Sequence, residues 1–461
     1  MRNYDVIIVG GGISGCFAAA LLAKNGKKVL LLEKGNKLGG RALTWDYEGF
    51  QLSLGAHLLE DPGSGLGAIL NYLGKPIEEG PLNDALPIWQ DNKWQHITDL
   101  YKTDRTELQR IITEIVSSDF SDFDRYDNVP LRTWLQERTK SEGVIALFEI
   151  LAVLEVITDK WYDHSAGDNL YCRKMHYQER HMAGFSHIPK GGFQAIFDNV
   201  QAAMEENHVR FELNTCVRRI AIDGPTIKGV EIEIGPRLTP NDLPDLELIE
   251  APVVLCTLPV WYLFDVIDPS ALPNWYVNQI KLMARDENKT CWTGFYAGTE
   301  EPVYALSEKE LTGWFNAPRT GLAGFGFNIS SLDPSAAPDG KSLFVCGCIS
   351  SAENLRNRAW LSKTVRDFEK DMEEMFPKLK QALWKRWHLI LDPPYTILGK
   401  PGLSGGNRPD NKAPNIEGLY FAGDTYKSRG IGMDRAARAA LTCAELILGK
   451  RLEGLENTWR Y

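Results

Sequence analysis

Six residues near the start of the chain, Gly10-Gly11-Gly12-Ile13-Ser14-Gly15, constrain its fold more than any other stretch. They follow residues 4–9 (YDVIIV), a short apolar, β-branched run of the kind that forms a strand buried on both faces. Residues 13–24 (ISGCFAAALLAK) then turn to Ala and Leu, which favour helix, and Gly26 ends the run. Residues 28–32 (KVLLL) give a second strand with Glu33 at its carboxyl end. Gly10 permits a tight turn, Gly12 lets a pyrophosphate approach the backbone, and Gly15 lets helix and strand pack closely. The helix start offers N–H groups and a positive dipole end to phosphate. Glu33 stands where it would accept hydrogen bonds from an adenosine ribose. The unit predicts an α/β fold opening on a Rossmann-like dinucleotide site.

The glycines alone leave NAD and FAD open. Residues 37–42 (KLGGRA) favour FAD: Gly39 and Gly40 allow close backbone approach, and Arg41 offers a fork of donors to phosphate or carbonyl oxygens. Residues 49–59 (GFQLSLGAHLL) carry the chain through a strand to Gly55-Ala56-His57. Near the C-terminus a strand at 418–422 (GLYFA) ends in Gly423-Asp424. It is followed by Gly430-Ile431-Gly432-Met433 and a long helix from about 434 to 448, stopped by Gly449.

The segments EKGNKLGGRA, LSLGAH and GLYFAGDTYKSRGIGMDRAARAA resemble the FAD-containing amine-oxidase and phytoene-desaturase superfamily. The resemblance implies a Rossmann-like FAD-binding domain of the glutathione-reductase type with an interleaved α+β substrate domain. It divides the chain into FAD-binding segments at 1–80, 187–262 and 410–461, a helical substrate or cap region at 81–186, and a substrate-domain sheet at 263–409. FAD contacts are implied at Gly10, Gly12, Ile13, Ser14, Gly15, Glu33, Lys34, Gly40, Arg41, Gly55, Ala56 and His57. Val217 would meet the adenine through its backbone, and Gly423 and Asp424 the ribityl and pyrophosphate region. The backbone of Gly432 and Met433 would meet the pyrimidine edge of the flavin, where a helix N-terminus favours negative charge.

Composition narrows the function classes. A net charge of −10 argues against a nucleic-acid surface and gives no basic membrane-binding face, though peripheral membrane contact and an oligomer stay open. There is no signal peptide and no run of eighteen apolar residues, so a cytoplasmic location is expected. None of the eight cysteines forms a C-x-x-C, and Cys346-Gly347-Cys348 lies in an apolar strand-like run, as small buried hydrophobes do in a reducing compartment.

Between the anchors, two short runs at 86–89 and 94–97 flank the turn-forming QDNK and predict a hairpin. Helical spacing recurs at 105–117 and 130–138, with Pro130 in a first turn, and 144–157 is an apolar helix. The aromatic stretch Trp161, Tyr162, His164, Tyr171, His176, Tyr177, His181, Phe185 reads as a loop-rich core patch or as a substrate lining. His176 and His181 lack a zinc-site pattern, and no metal is expected. An amphipathic helix follows Gly191-Gly192, then strands at 228–234 and 252–258. CWTGFYAG, LAGFGFNIS and KSLFVCGCIS predict a sheet, with 361–375 as a packing helix. Arg435 and Arg438 are expected to be packing or surface residues.

The chemistry implied is hydride removal from a carbon of an apolar or cyclic substrate, with FAD doing the hard step. The electron acceptor, whether oxygen, a quinone or another carrier, is left open. Monoamine-oxidase relatives place an aromatic residue where this chain has Gly432, so the amine cage is incomplete and the desaturase or dehydrogenase branch is favoured. His57 is the named catalytic candidate, as a base for an α-proton, with a cofactor- or backbone-bonding loop residue as its alternative. Lys289 is a further candidate. The competing functions are a flavin-dependent amine oxidase and a non-redox, flavin-dependent double-bond isomerase.

Overall fold

A computed structural model describes residues 4–55, 57, 65–97, 104–156, 158, 160–180, 187–235 and 245–455. Val6–Val9 is the central strand of a five-stranded sheet ordered Leu419–Phe421, Val254–Cys256, Val6–Val9, Val29–Leu32, Arg210–Glu212. Every neighbouring pair is parallel. Its inner strands are buried on both faces, which is why they read as continuous apolar runs rather than alternating ones.

The helix Ile13–Lys24 is apolar on every side, and residues 13–22 are all buried. It lies in one core with Ala437, Ala440, Leu441 and Ala444 of the C-terminal helix Gly432–Leu448. Phe17, Leu21 and Leu22 have no exposed surface, and each such side chain stabilises by about 1.5–3 kcal/mol. Gly449 closes the C-terminal helix in the left-handed conformation at φ 67°.

A second, seven-stranded sheet runs Leu383–Ile397, Lys289–Thr299, Ser342–Ser351, Gly324–Asn328, Thr312–Trp314, Pro87–Gln90, Lys93–His96. The last two strands form the expected hairpin. Asp91 and Asn92 sit at φ 54° and 57°, the two positive values a type I′ turn needs, and Trp89 packs edge-on against Trp94 at 5.3 Å. The hairpin joins the sheet through a parallel pairing with Thr312–Trp314. The longest strand, Leu383–Ile397, was not legible beforehand because it contains Pro393-Pro394; it is an edge strand, where proline is tolerated. Strand Asp245–Glu250 likewise adds an unforeseen third member to the sheet of Val217–Asp223 and Thr226–Ile234.

The pleat of Lys289–Thr299 sorts its side chains. Phe295 and Ala297 pack with Phe344, Cys346 and Cys348 under the helix Arg358–Met375. Trp292 and Tyr296 point the other way, into the core that holds Phe50 and Phe325. Cys346 and Cys348 are buried and free, and burial pushes the Cys348 thiol up to about 12.

The helical segment contains Arg105–Ser117, capped by Asp104, then Leu131–Gln136 behind Pro130, Glu142–Val156 and Ala166–Arg180. The last corrects the expectation of a loop-rich patch. Its buried face carries Asp168, Asn169, Arg173, Lys174 and His176, so no apolar period announces the helix. Trp161, Tyr171, His164 and His176 are buried, while Tyr162 is 45% exposed. His181 and Phe185 lie outside the described residues. Among the described residues, no helix is long and apolar enough to cross a membrane.

Candidate active site

The glycine loop crosses the carboxyl end of the parallel sheet, where ligands of such sheets bind. A Cβ on Gly15 would fall 1.9 Å from the carbonyl oxygen of Gly10, and one on Gly10, at φ 103°, 2.7 Å from Thr257 Oγ1. Thr257, at the end of its own strand, donates its hydroxyl to Val9 O at 2.8 Å and so plugs the turn from below. Gly12 caps the helix with no side-chain bond, and Gly39 donates its N–H to Gly11 O at 2.9 Å. A Cβ on Gly40 would meet the Cα of Gly12 at 3.0 Å, so the two glycine segments approach as bare backbones. The Glu33 carboxylate accepts the N–H groups of Gly11 at 2.7 Å and Gly35 at 2.6 Å.

The two ends of the chain meet here. Ser14 donates its hydroxyl to Ala436 O at 2.7 Å, tying the first turn of one helix to the other. Arg41 forms a two-pronged pair with Asp424, one prong at 3.1 Å, and lies over the Trp261 ring at 5.3 Å. Thr396 Oγ1 donates to the same carboxylate at 2.9 Å. Burial pushes the Asp424 carboxyl up, but Arg41, Arg408 and Thr396 outweigh it and hold it below its ordinary value. Thr290 faces Thr396 across the strand pair, and its buried hydroxyl has no partner among the described residues. Gly432 and Met433 open the C-terminal helix. A Cβ on Gly432, at φ 48°, would meet nothing within 4 Å, so that helix start faces open space.

His57 stands in a different setting, 6% exposed, with Trp292, Tyr296 and Phe325 each 6.1 Å away by ring centroid. Tyr296 Oη donates to Ser53 O and so presents a lone pair to His57 Nδ1 at 3.3 Å. This assigns the imidazole proton to Nδ1 and leaves Nε2, which has no partner among the described residues, as an acceptor. Burial lowers the His57 pKa to about 4, so the ring is neutral near pH 7. It lines a small cavity with Thr44, Ser53, Ile188, Phe193 and the buried Asp333. Trp292 and Phe325 pack tilted by 40° with ring centroids 4.4 Å apart, and Trp292 fits because position 347 is glycine: a Cβ there would fall 2.2 Å from its Cε2.

Of the other positions singled out in the sequence, Val217 begins its strand nearly buried and Lys34 lies 5.7 Å above the Tyr262 ring. Ala56 lies outside the described residues. Lys289 is bonded to Asp286 at 2.7 Å, on the pleat opposite Thr290 and Trp292. Arg435 and Arg438 are both buried; Arg435 pairs with Asp168 and Arg438 with Asp434. Sequence reading did not find Thr257, Thr396, Trp292, Tyr296 or Phe325. Only the alternation of large residues in CWTGFYAG could have flagged two of them.

These features suit an FAD. The bare-backbone approach of Gly12 and Gly40, the acid at Glu33, the orphaned hydroxyl of Thr290 beside the Arg41–Asp424 pair and the open helix start at Gly432 match its phosphates, ribose and polar ring edge. The sequence pattern of the flavin containing amine oxidoreductases matches residues 13–448. An all-trans-retinol 13,14-reductase from Macaca fascicularis is 38% identical over 82 residues, 18% of this chain and 13% of that protein. An L-amino acid oxidase from Cerastes cerastes is 26% identical over 225 residues, 42% of this chain and 43% of that protein. The matches thus span less than half the length of these curated relatives. An oxidoreductase from Methanosarcina mazei superimposes with a TM-score of 0.74 at 20% identity, covering 95% of this chain and 99% of its own, which establishes the shared fold. The chain belongs to the flavin-containing amine oxidoreductase family, and its cofactor is FAD.

Proposed function

We propose that this protein is an FAD-dependent oxidoreductase that removes hydride from a carbon of an apolar or cyclic substrate, as a desaturase or dehydrogenase. FAD supplies the hydride acceptor when bound. The observation that carries the reading is the neutral His57, backed by Trp292, Tyr296 and Phe325, which lines its cavity together with Ile188, Phe193, Ile329 and Ala336. Such a surface suits an apolar body. A histidine held near pKa 4 is a weak base at neutral pH, and desaturation of a plain polyene needs little acid–base help. We assign His57 to orienting the substrate through Nε2. The name of the retinol reductase supports an apolar substrate for that relative and, by extension, here.

In this reading FAD lies along Gly10, Gly12, Ile13, Ser14, Gly15, Glu33, Lys34, Gly40, Arg41, Gly55, Val217, Gly423, Asp424, Gly432 and Met433. The division into FAD segments 1–80, 187–262 and 410–461 is supported by the five-stranded sheet, which draws all its strands from them. Eight free cysteines support a reducing compartment, the cytoplasm.

The amine-oxidase reading has one observation in its favour: the buried Asp333 shares the cavity with His57 and could receive an ammonium group. Anaerobic mixing of the FAD-loaded protein with polyenes, cyclic ketones and amines, followed by flavin absorbance, separates the two. Bleaching by polyenes or ketones is expected; bleaching by amines alone would overturn the desaturase reading.

A further inference from the structure

A set of mostly buried charges holds the other helix start. Arg429 has no exposed side-chain surface and pairs with Asp124 at 2.6 Å, Asp127 at 2.6 Å and Asp168 at 2.8 Å. The second oxygen of Asp168 accepts from Arg435 Nη2 at 2.8 Å. Arg435 also donates Nε–H to Gly430 O at 2.7 Å, and Ser428 donates its hydroxyl to Arg435 O at 3.0 Å. The single carboxylate of Asp168, at the start of helix Ala166–Arg180, therefore bridges the loop before Gly432–Leu448 to the first turn of that helix. Asp127 extends the same tie to the loop at Gly406, whose N–H it accepts at 2.9 Å.

We propose that Asp168 is a positioning residue for the flavin: it fixes the Gly430–Met433 backbone and sets, with Arg429 and Arg435, the charge beneath the helix start. The proposal rests on the placement of FAD against Gly432 and Met433. A reduced flavin is more negative at its pyrimidine edge than an oxidised one. Charge buried under that edge in a poorly screened interior therefore biases the redox equilibrium. Removing the Asp168 charge leaves two guanidiniums less compensated and favours reduced FAD. Removing the Arg435 charge has the opposite effect. A loosened loop, by contrast, would move both variants in the same direction.

The test is the midpoint potential of bound FAD in the full-length wild type, Asp168→Asn and Arg435→Gln, with far-UV circular dichroism as a check of folding. The expected result is a positive shift for Asp168→Asn, equivalent to about a tenfold gain in relative affinity for reduced FAD, or about 30 mV for a two-electron couple. Arg435→Gln is expected to shift negative by a similar factor. If Asp168→Asn does not fold, the sign of the Arg435→Gln shift decides. Shifts of the same sign, no shift in either folded variant, or a positive shift for Arg435→Gln would overturn the proposal. A wild type that purifies and reconstitutes without flavin absorbance would instead overturn the FAD placement on which it rests.

Discussion

The two helices that open at the proposed FAD site share an apolar core but differ in how their first turns are held. Ile13–Lys24 is seated by shape: it is apolar all round, and its Gly15 lies too close to the backbone of Gly10 to tolerate a methyl group. Gly432–Leu448 joins the same core from Ala437 onward, but its first turn is tied by charge: Arg435 pairs with Asp168, and Asp434, which also holds Arg438, accepts the N–H of Leu66. Shape is cheap to maintain but intolerant of added volume. Charge is costly to bury and intolerant of a lost partner.

The sharpest way to break the first helix is volume. Gly15→Ala places a Cβ 1.9 Å from Gly10 O, and we expect a loss of more than about 4 kcal/mol, read as failure to fold or to retain FAD. The second should yield to neutralisation. Arg429→Met takes from the buried carboxylates of Asp127 and Asp168, and from the exposed one of Asp124, their shared partner, with an expected cost of about 3–5 kcal/mol in urea unfolding. A smaller loss at that site would mean that the ionic anchoring is weaker than its geometry.

Acid should act through two buried histidines, one in the aromatic packing and one beside the charged helix start. His57, on the aromatic side, is lowered to about 4 by burial. His164, beside the ionic cluster, is also lowered to about 4, by burial and then by Arg435 and Arg173 against the opposing pull of Asp168. The unfolded chain takes up protons that the folded one refuses between pH 6.5 and 4. Stability is thus complete above about pH 6.5 and falls on acidification towards 4. His57→Leu and His164→Leu should each flatten part of that slope in urea titrations across the window. The smallest effect is expected at the far end of the charged helix. Gly449→Ala meets no neighbour and costs about 1 kcal/mol for its left-handed backbone alone, measurable as a small drop in Tm.

The same contrast explains what could be read beforehand. The shape-held helix was legible to its end residues, because strand, glycines, helix and acid are consecutive in the chain. The hairpin was legible too, because the turn chemistry of QDNK is local, although its strands Pro87–Gln90 and Lys93–His96 lie one residue nearer the turn than expected. The charge-held side was not. Asp124, Asp127, Asp168, Arg429 and Arg435 are spread over some three hundred positions, and no spacing rule joins them. Ala166–Arg180 was hidden for a related reason, since it buries polar residues interleaved with the apolar ones. The aromatic wall fell between the cases: its strands were foreseen, but not which face of the pleat His57 would meet.

The fit of Trp292 into the space left by Gly347 has a consequence for how this wall can change. Any larger residue at 347 collides with the indole, whereas a smaller residue at 292 collides with nothing. Remodelling must therefore proceed in one order, shrinking 292 before enlarging 347, and the intermediate carries a void that costs about 3–5 kcal/mol. Lineages or laboratory selections that remodel this packing must cross that valley with stability to spare, or leave this pair alone and vary Phe325 instead.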